Sequence, residues 1–263
     1  MVTRVVPGLA LAAAISVLAW RARSLTRGGA LTATTIGTLA VATGWNWGVL
    51  LILYFISSSA LSRVGRARKD RRTASVVAKA GERDAVQVLA NGAVFGAAAL
   101  MMLIAPHAYW IALGAGSLAT SAADTWATEI GTLSRRDPRF VLDGRRVPAG
   151  TSGAISLEGT LAMFAGAAFI GMMMIVLGWT FPLAIRVAFA GVFGAIIDTL
   201  LGATVQTRRW CDACARETEC TTHDCGAMTR RLRGLAWLDN DLVNLLSALA
   251  GGLLAALLSF RAR

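Results

Sequence analysis

Eight apolar stretches follow one another along this chain, over residues 5–20, 30–44, 47–62, 84–105, 107–131, 157–177, 181–206 and 239–260. A membrane-spanning helix needs about 20 predominantly apolar residues. The pattern therefore predicts an all-α fold: a polytopic transmembrane helical bundle of about eight spans, with short loops and no soluble domain. Residues 1–263 then form a single integral membrane domain. Composition points the same way, since only 16% of residues are charged, against about 25% in soluble domains. The formal net charge of +11 would suggest a nucleic-acid partner in a soluble protein. Here the basic residues lie between apolar runs, so no nucleic acid is expected and membrane lipids are the surroundings.

The distribution of those basic residues sets an orientation. Residues 21–27 hold three, 63–83 eight, 132–156 five and 207–238 six, so 22 of the 26 basic residues fall on one side. The alternate connections, at Gly44-Trp45-Asn46-Trp47, Pro106-His107 and Gly178-Trp179-Thr180, carry no Lys or Arg. The positive-inside rule makes the basic side cytoplasmic and puts both termini outside, with Arg261 and Arg263 as mild exceptions. Fusing the two short runs 30–44 and 47–62 into one helix would invert everything before residue 63. Trp45 and Trp47 suit an interfacial turn. The N-terminal run reads as an uncleaved first span rather than a signal peptide, because Trp20-Arg21-Ala22-Arg23 follows it without a small-residue cleavage site.

Charged side chains at the centre of a spanning helix cost roughly 2.5–3.5 kcal/mol, so those present need a reason. The fifth run ends with Asp124, Thr125, Thr128 and Glu129. On a helix the two carboxylates lie about 140° apart and line a broad polar face, which can hold a divalent cation through hard oxygen ligands. The seventh carries Gly191, Gly194, Asp198 and Gly202 on one face. Helix packing accounts for the glycines but not for Asp198. The words Ala123-Asp124-Thr125 and Ile197-Asp198-Thr199 resemble each other as a weak internal repeat. The eighth opens with Asp239, an expected N-cap, then Asp241 and Asn244, which capping does not require. Asn91 is a buried amide whose role is equally an interhelical hydrogen bond or a function.

The stretch Pro148-Ala149-Gly150-Thr151-Ser152-Gly153-Ala154-Ile155-Ser156 precedes a helix, where converging N–H groups and the helix dipole favour anions. It is not a Walker A loop, for it lacks the Lys-Ser/Thr pair. Arg135, Arg136, Arg139, Arg145 and Arg146 could add positive charge for a phosphate, although topology alone accounts for most of them. All four cysteines lie within 207–238, a Cys-rich cytoplasmic loop. Cys211, Cys214, His223 and Cys225 have ligand spacing suited to a tetrahedral structural zinc site, and unligated thiols are the even alternative.

Five words then carry a resemblance: Gln87-Val-Leu-Ala-Asn91-Gly92, Asp124-Thr-Trp-Ala-Thr-Glu129-Ile-Gly131, Pro148-Ala-Gly150-Thr151-Ser-Gly153-Ala-Ile-Ser156, Asp198-Thr-Leu-Leu-Gly202-Ala-Thr-Val-Gln206 and Asn240-Asp241-Leu-Val-Asn244. They are similar to the signature blocks of an integral membrane family, long of unknown function, that includes phytyl-phosphate kinases. The Cys-x-x-Cys and His-x-Cys words match as well. Thr128 stands where that family usually has Ser, and Ser152 and Ala154 where it has Asn and Gly. More distantly, the acidic helix end and Gly-Thr/Ser loop resemble polyprenol kinases and CDP-diacylglycerol synthases.

The resemblance implies a transferase: a CTP-dependent, Mg²⁺-dependent kinase of an isoprenyl (phytyl-like) monophosphate, giving the prenyl diphosphate and CDP at the cytoplasmic membrane face. It implies that Asp124, Asp198 and Asp241 hold Mg²⁺ and that Glu129 completes the shell. Gly150, Thr151, Ser152, Gly153 and Ser156 would cradle phosphate, while Asn91 and Asn244 orient substrate or carboxylates. The expected partners are a prenyl phosphate lipid and a nucleotide, with oligomerisation left open. Phosphoryl transfer to an already ionised monophosphate needs no strong general base. That suits a chain whose two histidines are His107, on the outer side, and the zinc candidate His223. A prenyl alcohol kinase, a cytidylyltransferase releasing pyrophosphate, and a membrane transporter are the alternatives. The near-bare outer connections offer a transporter no second gate.

Overall fold

The computed structural model describes residues 2–79 and 81–260, so Arg261 and Arg263 lie outside the described residues. Eight long helices form the bundle: α1 (Val2–Arg21), α2 (Arg27–Thr43), α3 (Trp45–Arg63), α5 (Ala85–Ile104), α6 (Ala108–Gly131), α7 (Leu157–Val176), α8 (Phe181–Thr204) and α9 (Asn240–Phe260). They occupy the eight expected runs. Their starts follow local chemistry. Thr26, His107 and Ser156 each accept a backbone N–H of the following helix through the side chain. Asp84 and Gln87 form a reciprocal capping box at the start of α5.

Six of these helices, α1, α3, α5, α7, α8 and α9, are long and apolar enough to cross a membrane. α2 has 17 residues, about 26 Å of helix against a hydrocarbon core of about 30 Å. α6 has 24 residues, and every one from Ala112 to Ala123 is buried. It packs against α3, α5, α7, α8 and α9 and faces protein rather than lipid. Its Gly, Ala, Ser and Thr content permits that crowding: a Cβ at Gly116 would stand 2.5 Å from the Ala255 Cβ on α9. Gly191 and Gly194 of α8 close on Ala119 and Thr120 of the same helix. The main apolar core surrounds α6, with Trp47, Phe95, Leu118, Ile170, Met174 and Val187 buried in it.

The α2–α3 break is the single residue Gly44. Trp45 is exposed there as expected, whereas Trp47 is buried, with its ring 5.2 Å from that of Phe95. Its expected interfacial placement is therefore corrected. As part of α3, Trp47 sits one helical step inward and turns into the core.

The connections hold more structure than short loops would. Within 63–83 lies a short helix, α4 (Arg66–Thr73), which buries Lys69. Between α6 and α7, β1 (Arg139–Phe140) pairs with β2 (Ala154–Ile155), antiparallel. Between α8 and α9 stand β3 (Arg208–Cys211), β4 (Arg216–Thr218) and β5 (Arg230–Arg233), an antiparallel sheet ordered β4-β3-β5. All these pieces belong to the basic connections, so they gather at one end of the bundle.

Candidate functional site

At that end a polar cavity of about 560 Å³ opens among the C-terminal ends of α3, α6 and α8, the N-terminal ends of α5, α7 and α9, and the basic connections. The helix ends deliver Asn91 from α5, Asp124 and Glu129 from α6, Asp198 from α8, and Asp241 and Asn244 from α9. The α6–α7 connection delivers Gly150, Thr151, Ser152, Gly153 and Ser156. The carboxylates, the two amides and the 150–156 residues singled out for magnesium, substrate and phosphate thus line one cavity, from positions spread between 91 and 244.

The four carboxylates differ in what they touch. Glu129 accepts from Lys69 Nζ at 2.6 Å on one oxygen and from Ser62 Oγ at 2.5 Å on the other. Asp241 is buried and accepts from Lys79 Nζ at 2.5 Å, while Lys79 also reaches Asp84 at 3.0 Å. Asp198 accepts from Ser247 Oγ at 2.9 Å. Among the described residues, no Lys or Arg forms an ion pair with Asp124 or Asp198. The hydrogen bond to Asp241 raises the Lys79 ammonium above its ordinary range, against its partial desolvation. Two carboxylates are therefore committed to lysines and two are free to meet a cation.

The 148–156 stretch is held from beneath. Gly150 and Gly153 adopt positive φ of 85° and 78°, and a Cβ at Gly153 would stand 2.5 Å from that of Ala203. The backbone must therefore be glycine where it rests on the end of α8. Ser152 Oγ donates to Glu219, and Gln206 Nε2 donates to both at 3.1 Å. The buried Arg208 guanidinium donates to the Ser152 carbonyl. Burial pushes the Glu219 carboxyl up, opposed by the Ser152 hydrogen bond and the charge of Arg208. Ser156 Oγ accepts Gly159 N–H at 3.1 Å and so serves first as the α7 cap. Asn91 donates to the Gln87 carbonyl at 3.1 Å, an intrahelical bond, and its own carbonyl accepts from Ser121 at 3.0 Å. As expected, Asp239 caps α9, accepting Leu242 N–H at 3.0 Å.

The cations at the cavity are not those expected. Arg135, Arg136, Arg139, Arg145 and Arg146 do not line it; Arg145 pairs instead with Asp143 and Glu217, and Arg139 caps the Gly144 carbonyl. The lining cations are chiefly Arg63, Arg66, Lys69, Lys79 and Arg83 from the 63–83 connection. In the sequence, membrane topology alone accounts for the basic residues of that connection. One signal was available: lysine occurs only twice among the 26 basic residues, at 69 and 79. Glu219 was also missed, for nothing local marks it.

A second, apolar pocket of about 90 Å³ lies between α1, α2, α3 and α5, lined by Ile15, Ile36, Leu51, Ile52 and Phe55 among others. Arg83, Gln87 and Asn91 line both pockets.

The sequence profile of the family described as "Integral membrane protein DUF92" matches residues 10–252, which include all five signature words. The chain belongs to that family. It is 27% identical to Protein PGR of Arabidopsis thaliana, over 97% of this chain and 96% of that protein. It is 26% identical to Protein VTE6, chloroplastic, of the same plant, over 89% of this chain and 65% of that protein. An uncharacterized membrane protein of Synechocystis is 31% identical over 64% of this chain and 66% of its own length. No solved structure matches. For this DUF92 chain the expected family is therefore the one found.

Cys211, Cys214, His223 and Cys225 form the one cluster among the described residues whose metal-ligating atoms approach each other closely, all within 4.8 Å. Asp124, Asp198 and Asp241 make no such cage, although they share a cavity. Magnesium seldom needs one, since it is usually held by one or two carboxylates together with substrate phosphates and water.

Proposed function

We propose that this DUF92 protein is a CTP-dependent isoprenyl monophosphate kinase, acting at the cytoplasmic face of a membrane. The carrying observation is that Arg83, Gln87 and Asn91 line both pockets. A polar cavity lined by seven basic and seven acidic residues borders an apolar pocket inside the helical bundle. That shape suits an amphiphile with an anionic head and a hydrocarbon chain better than a soluble solute. Arg83, which lines both, donates to Ser62 Oγ at 3.3 Å and has further donors for a phosphate. The resemblance to phytyl-phosphate kinases supplies the acceptor class, and CTP is supplied by the more distant resemblance alone.

The donor set fits magnesium. Asp124 and Asp198 are hard oxygen donors without a cationic partner among the described residues, whereas Glu129 and Asp241 carry lysines. Asp124 and Asp198 are the residues that would hold the ion, which supplies charge neutralisation to the triphosphate. Asp241 and Glu129 fit better as positioning residues that aim Lys79 and Lys69 at phosphate oxygens. Gly150, Thr151 and Gly153 offer backbone to the phosphates, with Ser152 and Ser156 anchoring that backbone. Asn244 stands where it can orient substrate. In the reaction, a phosphate oxygen of the acceptor attacks the γ-phosphorus of CTP. The bond from that phosphorus to the β–γ bridging oxygen breaks, and CDP leaves. The acceptor is already ionised at neutral pH, which accords with a cavity that neither histidine lines.

The test is purified protein with labelled CTP, Mg²⁺ and a panel of prenyl monophosphates. The expected products are CDP and the prenyl diphosphate. Asp124→Asn and Asp198→Asn should each reduce turnover by about 100-fold or more. Release of pyrophosphate would replace the kinase by a cytidylyltransferase, and full turnover in both variants would remove the metal assignment.

A further inference from the structure

The loop between α8 and α9 has two tight knuckles facing each other. Cys211 ends β3 and Cys214 follows in the turn, where Ala215 takes a positive φ of 51°. His223 and Cys225 lie in a second turn, closed by Gly226 N–H to the His223 carbonyl at 2.8 Å and by His223 N–H to the Ala227 carbonyl at 2.9 Å. Cys211 Sγ stands 3.7 Å from Cys225 Sγ, and His223 Nδ1 3.3 Å from that same sulfur. Sulfurs bound tetrahedrally to zinc at about 2.3 Å lie about 3.8 Å apart. Cys211 and His223 are buried. Cys220, the fourth cysteine, stands apart from the cluster and donates to the Val77 carbonyl at 3.3 Å.

Between the knuckles runs Thr218-Glu219-Cys220, and all three residues reach out of the loop. Glu219 N–H donates to the Val76 carbonyl at 2.8 Å, and Thr218 Oγ1 to the same carbonyl at 3.4 Å. With Cys220 on Val77, this grips the segment that carries Lys79. The Glu219 side chain meanwhile accepts from Ser152 in the glycine-rich stretch.

We propose that Cys211, Cys214, His223 and Cys225 bind one zinc ion, and that this knot makes Thr218–Cys220 a clasp joining the 76–79 segment to the 150–153 stretch across the cavity mouth. Four protein ligands fill the tetrahedron, so the metal does no chemistry. It fixes the two turns from which the clasp is strung. A loop this small has little apolar core of its own, and metal binding free energy becomes its folding free energy. The metal assignment stands whether or not the cavity transfers a phosphoryl group.

The experiment uses full-length protein in detergent, with zinc measured by elemental analysis. The expected content is about one zinc per chain, retained in Cys220→Ser and lost in Cys214→Ser and Cys225→Ser. Absence of bound zinc in the wild type, or equal loss in Cys220→Ser, would overturn the site. The clasp is read by hydrogen exchange on wild-type protein before and after chelation. Amides at 76–79 and 150–153 should exchange about tenfold faster without metal. Glu219→Gln should keep its zinc yet speed exchange at 150–153. Changes confined to 211–225 would leave a zinc knot without a clasp and sink that half of the proposal.

Discussion

Lys69 and Glu129 form a nearly buried ion pair, with side chains 8% and 21% exposed. A pair so placed adds little net stability, but removing one partner leaves an uncompensated charge at a cost of about 3–5 kcal/mol. Lys69→Met should therefore lower the unfolding midpoint sharply. The double variant Lys69→Met/Glu129→Leu should recover most of it. Phosphoryl transfer should stay down by about 100-fold in the double variant if Lys69 contacts phosphate. Thermal unfolding and turnover measured on the same samples separate the two effects, and recovery of both would make Lys69 purely structural. Glu129 was legible in the sequence because an acidic residue in an apolar helix stands out. Lys69 was not, because it sits among arginines in a connection where basic residues already had a sufficient reason.

At the scale of elements, the start of α5 ties a helix cap to the site. Asp84 caps the helix and also meets Lys79, which in turn holds Asp241. The backbone hydrogen bond from Gln87, then Lys79, holds the Asp84 carboxyl below its ordinary value despite partial burial. A lowered carboxyl stabilises the fold above the unfolded value and loses that contribution as pH falls through the folded one. Asp84→Ala should cost about 1 kcal/mol at neutral pH, and the gap to wild type should narrow as the pH falls below the ordinary carboxylate range, through the lowered folded value. Chemical denaturation across that range checks it, and an undiminished gap in acid would refute the assignment. Long helices were readable because apolar length and caps are local properties. The short α4, the strand pairs and the burial of Trp47 were not, because each is decided by what packs against the segment.

For the molecule as a whole, most of the basic residues and the polar cavity share one end of the bundle, opposite the turns at Gly44, Pro106 and Gly178. The positive-inside rule predicts that this end faces the cytoplasm, which labelling can test. In intact cells, a cysteine at Thr180 should react with a membrane-impermeant maleimide, while one at Asp143 should react only after permeabilisation. The reverse pattern would put the cavity on the other side and detach it from cytosolic nucleotide.

The sequence by itself determined the helices, the end of the bundle that is polar, and which carboxylates and glycines would meet there. Hydrophobic length and the cost of a charge in an apolar run are written in neighbouring residues. Only the tertiary structure decided how those carboxylates are used. Lys69 reaches Glu129 across 60 residues and Lys79 reaches Asp241 across 162. No local pattern encodes such a pairing, because it exists only once the helices have packed and brought distant connections to the same mouth.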